Sequence, residues 1–328
     1  MKTDEKKHTV AFASNERGTY PLCAAAWSVV ENAAPDSCYD ICILSDGISE
    51  ESKQKLSALI AKAGERHSIR FIDAQTIVPE DVLTFEEWPK IAWARIFLAD
   101  VLPDVDRVLY LDIDTLVCSD LRALFDIDMG DAALGVVLEH ESHVDSHFNE
   151  RLNIPQHCLG YFNSGVLLMN LEIFRRDDLV SKVMAYANQY RASLVCPDQD
   201  ALNGALCDRL IQLHPRWNWH DGLTRRIIKA NPKDLLWRGN SPKSSIEAAL
   251  WPGILHYQGS NKPWRYNHRI EGARYEASLR RAGLLNTKRL PGFSWGGCIM
   301  RNVYNCIYTL TWRRIRKLGQ KFQVNKPE

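Results

Sequence analysis

Through the first hundred residues, short apolar runs alternate with longer stretches whose apolar positions recur every three or four residues. Thr9–Ala13, Tyr39–Ser45 and Ile69–Ile72 read as buried strands, and residues 21–32 and 50–63 as helices. Lys90–Leu102 reads as a further helix, and Arg107-Val-Leu-Tyr-Leu-Asp112 as a buried strand ending on an acid. Strand candidates continue at Ala132–Leu138 and Gly165–Asn170, with helices near Glu172–Tyr190 and Pro197–Cys207. Beyond about Asn231 the pattern loosens into Pro, Gly and Trp-rich sequence without an internal repeat. Strands alternating with helices predict an α/β fold built on βαβ units, and an open sheet of that kind binds its ligand outside the carboxyl ends of its strands.

Candidate chemistry is therefore sought where strands end. D-x-D occurs four times, as Asp104/Asp106, Asp112/Asp114, Asp126/Asp128 and Asp198/Asp200. Only Asp112/Asp114 follows directly on an apolar strand, which would hold both carboxylates rigidly at the sheet edge. Two such groups are costly together unless a cation lies between them; the plainer reading is a solvated turn. Far along the chain, Ile254-Leu-His256-Tyr-Gln-Gly259-Ser-Asn-Lys262-Pro-Trp264 delivers an imidazole, a glycine that permits close backbone approach and an ammonium suited to phosphate. Pro197-Asp198-Gln199-Asp200-Ala-Leu-Asn203 opens a helix with Asp198 as its expected N-cap. His140, His143 and His147 mimic zinc-ligand spacing, but the acids and serines among them favour an exposed polar loop. The glycine-rich phosphate loops G-x-G-x-x-G and G-x-x-x-x-G-K-[ST] are absent. A phosphorylated ligand would need another source of positive charge.

Composition narrows the partners. The 328 residues carry 41 Lys+Arg against 40 Asp+Glu, a net charge of +1, so no global basic field exists to hold a nucleic-acid backbone. From Lys288 to Glu328 there are nine basic residues to one acidic, which leaves the preceding 287 residues at −7. A basic tail on an acidic body points to an anionic partner, a membrane surface first. No apolar run is long enough to span a bilayer, and the opening MKTDEKKHTVAFAS is no signal peptide, so the expected place is the cytoplasm or its membrane face. The nine cysteines form no C-x-x-C pair, which predicts neither a disulfide framework nor a thiolate zinc site.

In their order along the chain, VLYLDID, YFNSGVLLMNLEIF, PDQDALN, RWNW and HYQGSNKPW resemble glycosyltransferase family 8, above all its bacterial lipooligosaccharide and lipopolysaccharide α-galactosyl- and α-glucosyltransferases. The likeness runs from Thr9 to Trp264. It implies one α/β nucleotide-sugar domain, a Rossmann-like mixed sheet of the GT-A type over residues 1–287, followed by a basic tail over 288–328. It also implies retaining transfer of a hexose from a UDP-sugar to a glycan acceptor, lipid-linked at the inner membrane face. Mn²⁺, with Mg²⁺ as the alternative cation, would be held by Asp112, Asp114 and His256, with Gly259 and Lys262 facing the diphosphate. Ala13, Asn15, Arg95, Asp112, Ile113 and Asn163 would contact the donor. Asp198 and Gln199 would hold the transferred sugar, Gln199 nearest its reacting carbon and acting as a dipole rather than a nucleophile. One place departs from the pattern: the first βα turn reads Ala13-Ser14-Asn15-Glu16-Arg17-Gly18, with Asn15 where the resemblance puts an Asp against uracil. Transfer to a soluble acceptor, a non-catalytic sugar-binding protein and a metal phosphohydrolase are the competing readings.

The tail has its own pattern. Apolar or neutral residues recur at 300, 304, 307/308, 311, 315, 318 and 322, one helical stripe, with Arg301, Arg313, Arg314, Arg316, Lys317 and Lys321 off it. The stripe predicts either a helix lying in a membrane surface or one packed on the catalytic body.

Overall fold

The computed structural model describes residues 7–86, 89–139, 144–220, 223, 241–259, 262–264, 271–284 and 312–326. The chain divides into two compact units, residues 1–19, 33–113 and 121–213 making the first and 20–32, 114–120 and 214–328 the second. The described strands are β1 (His8–Asn15), β2 (Tyr39–Asp46), β3 (Ser68–Asp73), β4 (Arg107–Leu111), β5 (Thr115–Val117), β6 (Leu134–Leu138), β7 (Phe162–Asn170), β8 (Leu210–Gln212), β9 (Trp219–His220) and β10 (Ile254–His256).

The first unit is built on a seven-stranded sheet in the order β3-β2-β1-β4-β7-β6-β8. Strands β3, β2, β1 and β4 are parallel, and β7 runs antiparallel to both β4 and β6. Continuous apolar runs such as Val10–Ala13 and Ile41–Leu44 suit central strands buried on both faces. Trp93, Phe97, Tyr110, Leu167 and Phe174 belong to the core on which they pack. The reversal of β7 matters for function. Its first residues lie beside the last residues of β4, with Leu111 opposite Val166 and the Asp112 N–H donating to the Gly165 carbonyl at 2.8 Å.

Three local expectations are corrected. Lys90–Leu102 is not one α-helix: Lys90–Phe97 is a run of 3₁₀ turns and only Leu98–Val101 is α-helical. The tight turns let Arg95 Nε donate to the Ala92 carbonyl at 2.9 Å while the guanidinium reaches β7. Residues 172–190 break into Leu171–Arg176 and Leu179–Gln189. At the break Asp178 takes a left-handed φ of 48°, which short polar Asp tolerates, and the Asp177 carboxylate is clamped by Arg176 at 2.8 Å and Arg209 at 2.6 Å. Asp198 is not an N-cap, because the helix Pro197–Ala205 starts one residue earlier with Cys196 as its cap and proline at its first position.

The second unit holds a three-stranded sheet in the order β5-β10-β9. Strand β10 is antiparallel to β5, with His256 opposite Thr115, and parallel to β9, with His256 beside His220. Residues 312–321 of the tail are helical. Ile315 is fully buried, and Gly319 sits so close to the helix Pro242–Leu250 that a Cβ there would meet Leu250 Cδ1 at 2.8 Å. Part of the predicted apolar stripe is therefore spent on packing within this unit, while Arg313, Arg314, Arg316, Lys317 and Lys321 remain exposed. Residues 300–311 of the stripe, and His140 and His143, lie outside the described residues; His147 is exposed, 3.4 Å from Glu150. No helix of the described residues is long and apolar enough to cross a membrane.

Candidate active site

In the first unit the site grows from the antiparallel meeting of β4 and β7. Arg95 is buried and stacks 4.5 Å over the Tyr110 ring. Its guanidinium lies 3.0 Å from Asp112 Oδ1 and 3.2 Å from Asp198 Oδ2, and donates to the Ser164 carbonyl at 2.8 Å. The Tyr110 hydroxyl also donates to Asp112 Oδ1, at 2.9 Å. Asp112 is thus fixed at one oxygen by two donors. Because Arg95 Nε points its hydrogen at Ala92, Asp198 Oδ2 has the positive charge nearby but no hydrogen bond. Burial pushes the Asp198 carboxyl up to about 6; Arg95 opposes the rise and the charge on Asp112 adds to it. A buried carboxylate oxygen lacking a donor is matched by a ligand that brings a hydroxyl.

Asn203 ties the helix Pro197–Ala205 to β7, accepting from Phe162 N–H at 2.8 Å and donating to its carbonyl at 2.9 Å. One turn earlier on that helix, Gln199 comes to the start of the strand. Its carbonyl oxygen accepts from Ser164 N–H at 2.9 Å and Asn163 Nδ2 at 3.2 Å, and its amide donates to the Tyr161 hydroxyl at 3.0 Å. The unusual turn after β1 lies against the middle of D-x-D: a Cβ on Gly18 would overlap Ser14 Oγ and meet Ile113 Cδ1 at 2.8 Å, so a larger residue there would have to displace those side chains. Asn15 Oδ1 accepts from Gly18 N–H at 3.2 Å, and Glu16 ties the turn to Ser49 N–H at 2.8 Å. Ala13, which opens the turn at the end of β1, is buried.

In the second unit, the β5–β10 register brings Asp114 to His256. Tyr257 N–H donates to the Asp114 carbonyl at 2.9 Å, and Asp114 Oδ1 lies 3.1 Å from His256 Nε2. The other ring nitrogen, Nδ1, lies 2.9 Å from Asn218 Oδ1. Since that oxygen can only accept, Nδ1 carries the hydrogen and Nε2 is turned toward a carboxylate. A proton or a metal cation on Nε2 would meet that carboxylate, and an imidazole oriented by an outer amide is how a histidine is prepared as a metal ligand. Lys262 donates to the other Asp114 oxygen and to the Tyr257 carbonyl at 3.0 Å. Burial works to raise the Asp114 carboxyl, but His256 and Lys262 outweigh it and hold the group well below the usual carboxylate range. Gly259 sits at φ +76°, a left-handed conformation that glycine adopts without strain.

Asp112-Ile113-Asp114 is one continuous tripeptide, and one ligand atom each from Asp112, Asp114 and His256 fall within 4.8 Å of one another. Two carboxylates and an imidazole suit a divalent first-row cation. Family comparison agrees with this chemistry: the sequence model of glycosyl transferase family 8 matches residues 9–268. The chain belongs to glycosyltransferase family 8. It is 30% identical over 274 residues to General stress protein A of Bacillus subtilis, spanning 81% of this chain and 90% of that one. The lipopolysaccharide 1,3-galactosyltransferase of Salmonella typhimurium is 23% identical over 268 residues, or 80% of this chain and 74% of its own. Among solved structures, the galactosyltransferase LgtC in complex with donor and acceptor sugar analogues superposes with a TM-score of 0.69 at 27% identity, covering 86% of this chain and 97% of that one. An active-site mutant of LgtC gives a TM-score of 0.72 at 28% identity, with 83% and 95% covered.

This family 8 chain is accordingly a glycosyltransferase with a mixed α/β, GT-A-like fold, related to lipopolysaccharide galactosyl- and glucosyltransferases. Asp112, Asp114 and His256 make up an Asp-Asp-His group that could hold a metal ion. Four residues with clear structural work went unassigned in the sequence: Asn218, Ser164, Tyr161 and Asn203. Each lies inside a recognised motif, RWNW, YFNSG or PDQDALN, so the motifs marked the segments without showing which neighbours serve the named residues.

Proposed function

We propose that this enzyme transfers a hexose, galactose or glucose, from its UDP donor to a glycan acceptor with retention at the anomeric carbon, and that Mn²⁺ is its working cation. The observation that carries this reading is the metal-ligand set itself, with His256 oriented by Asn218 and Lys262 beside Asp114. When bound, the cation would supply neutralisation of the charge that develops on the departing diphosphate. Lys262 adds a second positive group for that charge. Arg95 keeps Asp112 and Asp198 in place, and Asp198 Oδ2 accepts a hydroxyl of the transferred sugar. Gln199 supports positive charge at the reacting carbon by its dipole. The turn Ala13–Gly18, anchored on Ile113, receives the nucleoside, with Asn15 in place of an acid. A panel of nucleotide sugars assayed with Mn²⁺, Mg²⁺ or chelator tests the reading. UDP-galactose or UDP-glucose is turned over with Mn²⁺ and not with chelator, and NMR shows an α product; chelator-insensitive turnover, or none of any UDP-hexose, would overturn it.

The acceptor is lipid-linked, and the enzyme works at an anionic membrane surface. Support comes from the activity of the Salmonella relative and from the exposed basic residues of 312–321. Because Ile315 is fully buried and Gly319 lies against the helix Pro242–Leu250, the described part of the tail offers its charges rather than its apolar side. Each basic residue near an anionic leaflet contributes about 1 kcal/mol, less as salt rises. Replacing Arg313, Arg314, Arg316, Lys317 and Lys321 together by glutamine is expected to abolish co-sedimentation with anionic vesicles and leave UDP-sugar hydrolysis unchanged. Equal vesicle binding by that variant, or binding insensitive to salt, sinks the electrostatic account.

A further inference from the structure

Asp200 follows Gln199 in the chain, yet its carboxylate turns into the protein and is fully buried. Arg151 donates to its Oδ2 at 2.7 Å, and the backbone N–H groups of Val195 and Cys196 donate to the same oxygen at 2.6 and 3.1 Å. Its Oδ1 lies 2.6 Å from the Tyr161 hydroxyl. A carboxylate ion-paired to arginine only accepts, so the phenol must aim its hydrogen at Asp200. Burial pushes the Tyr161 hydroxyl well above its ordinary pKa, which keeps that hydrogen in place.

With its hydrogen committed, the Tyr161 oxygen presents only lone pairs to its next neighbour, the Gln199 side chain at 3.0 Å. The end of the carboxamide facing Tyr161 must be the NH₂. At the opposite end, the Ser164 backbone N–H, which only donates, faces Gln199 at 2.9 Å and demands the carbonyl oxygen there. Two independent one-way groups therefore fix the same orientation of the carboxamide. Turned over, the amide would set donor against donor at Ser164 and leave the phenol oxygen beside a carbonyl. We infer that Tyr161, held by Asp200 and Arg151, is a positioning residue that sets the direction of the Gln199 dipole during sugar transfer. The assignment rests on the reading that Gln199 supports charge at the reacting carbon. Without the Tyr161 hydroxyl only the donors at the carbonyl end, Ser164 N–H and Asn163 Nδ2, still orient the carboxamide, and a fraction of the enzyme would present NH₂ where the carbonyl is needed.

A double-mutant cycle tests this, with kcat and donor KM measured for Tyr161→Phe, Gln199→Ala and the pair, and thermal midpoints taken to establish that each variant is folded. Tyr161→Phe is expected to lower kcat by about three- to tenfold, the range of one hydrogen bond, with donor KM changed less than about twofold. In the Gln199→Ala background the same substitution is expected to cost nothing further. An equal loss in both backgrounds, or a Tyr161→Phe enzyme with wild-type kcat, overturns the positioning role while leaving the Gln199 reading intact. A Gln199→Ala enzyme with wild-type kcat overturns the Gln199 reading and the inference with it.

Discussion

Asp112→Asn, Asp114→Asn and His256→Ala are each expected to lower sugar transfer by at least about a hundredfold at limiting Mn²⁺, because outer residues that merely orient metal ligands are themselves worth about ten- to a hundredfold. Asparagine is chosen for Asp112 on structural grounds. Its oxygen still accepts from Tyr110 and Arg95, whereas alanine would take from the buried guanidinium one of its two carboxylates. Asn218→Ala removes the group that fixes the His256 tautomer and is expected to fall in the ten- to hundredfold range, with part of the loss recovered by excess Mn²⁺. Initial rates across a Mn²⁺ titration, with circular-dichroism melts for each variant, check the whole set. Near-wild-type rates in all three ligand variants at limiting metal would mean that the cation sits elsewhere or is not used.

The sequence disclosed these residues unequally. Asp112/Asp114 was separable from three other D-x-D pairs because a buried apolar strand runs straight into it, and the structure puts β4 there. His256 was different in kind. Its partnership with Asp114 depends on the antiparallel register of β10 on β5, a pairing between segments far apart in the chain that no periodicity encodes. Only the order of motifs joined them. Hydrogen-bond direction was hidden altogether: that Asn218 orients His256, or that Asp200 turns away from Gln199 toward Tyr161, needs atoms rather than letters. The helical misreadings have local causes, since apolar spacing at Lys90–Leu102 cannot distinguish 3₁₀ turns from α, and it carried through Asp177-Asp178 where an arginine clamp and a left-handed aspartate break the helix. The tail shows the same limit from another side. Its stripe foretold a buried face at Ile315, but a stripe says that something covers it, not whether the cover is lipid or protein.

Gln199→Ala is expected to lower kcat by about ten- to a hundredfold while donor KM changes by no more than about threefold. The asymmetry follows from what the carboxamide can do. Held by Ser164, Asn163 and Tyr161, it is oriented before any donor arrives, so its dipole needs no reorganisation as positive charge grows at the reacting carbon. An interaction that strengthens only as charge develops is felt in kcat, whereas a contact made equally to donor and transition state is felt in KM. Asp198→Asn supplies the contrast. Under the proposed function its buried Oδ2 accepts a sugar hydroxyl in the ground state, and an amide placed there with its NH₂ inward would oppose that hydroxyl, so donor KM is expected to rise in that variant. Steady-state kinetics with varied UDP-sugar at saturating Mn²⁺ separates the two patterns. A Gln199→Ala enzyme that keeps its kcat and loses only donor affinity would make Gln199 a binding contact, and the charge-supporting role would pass to another group beside Asn163.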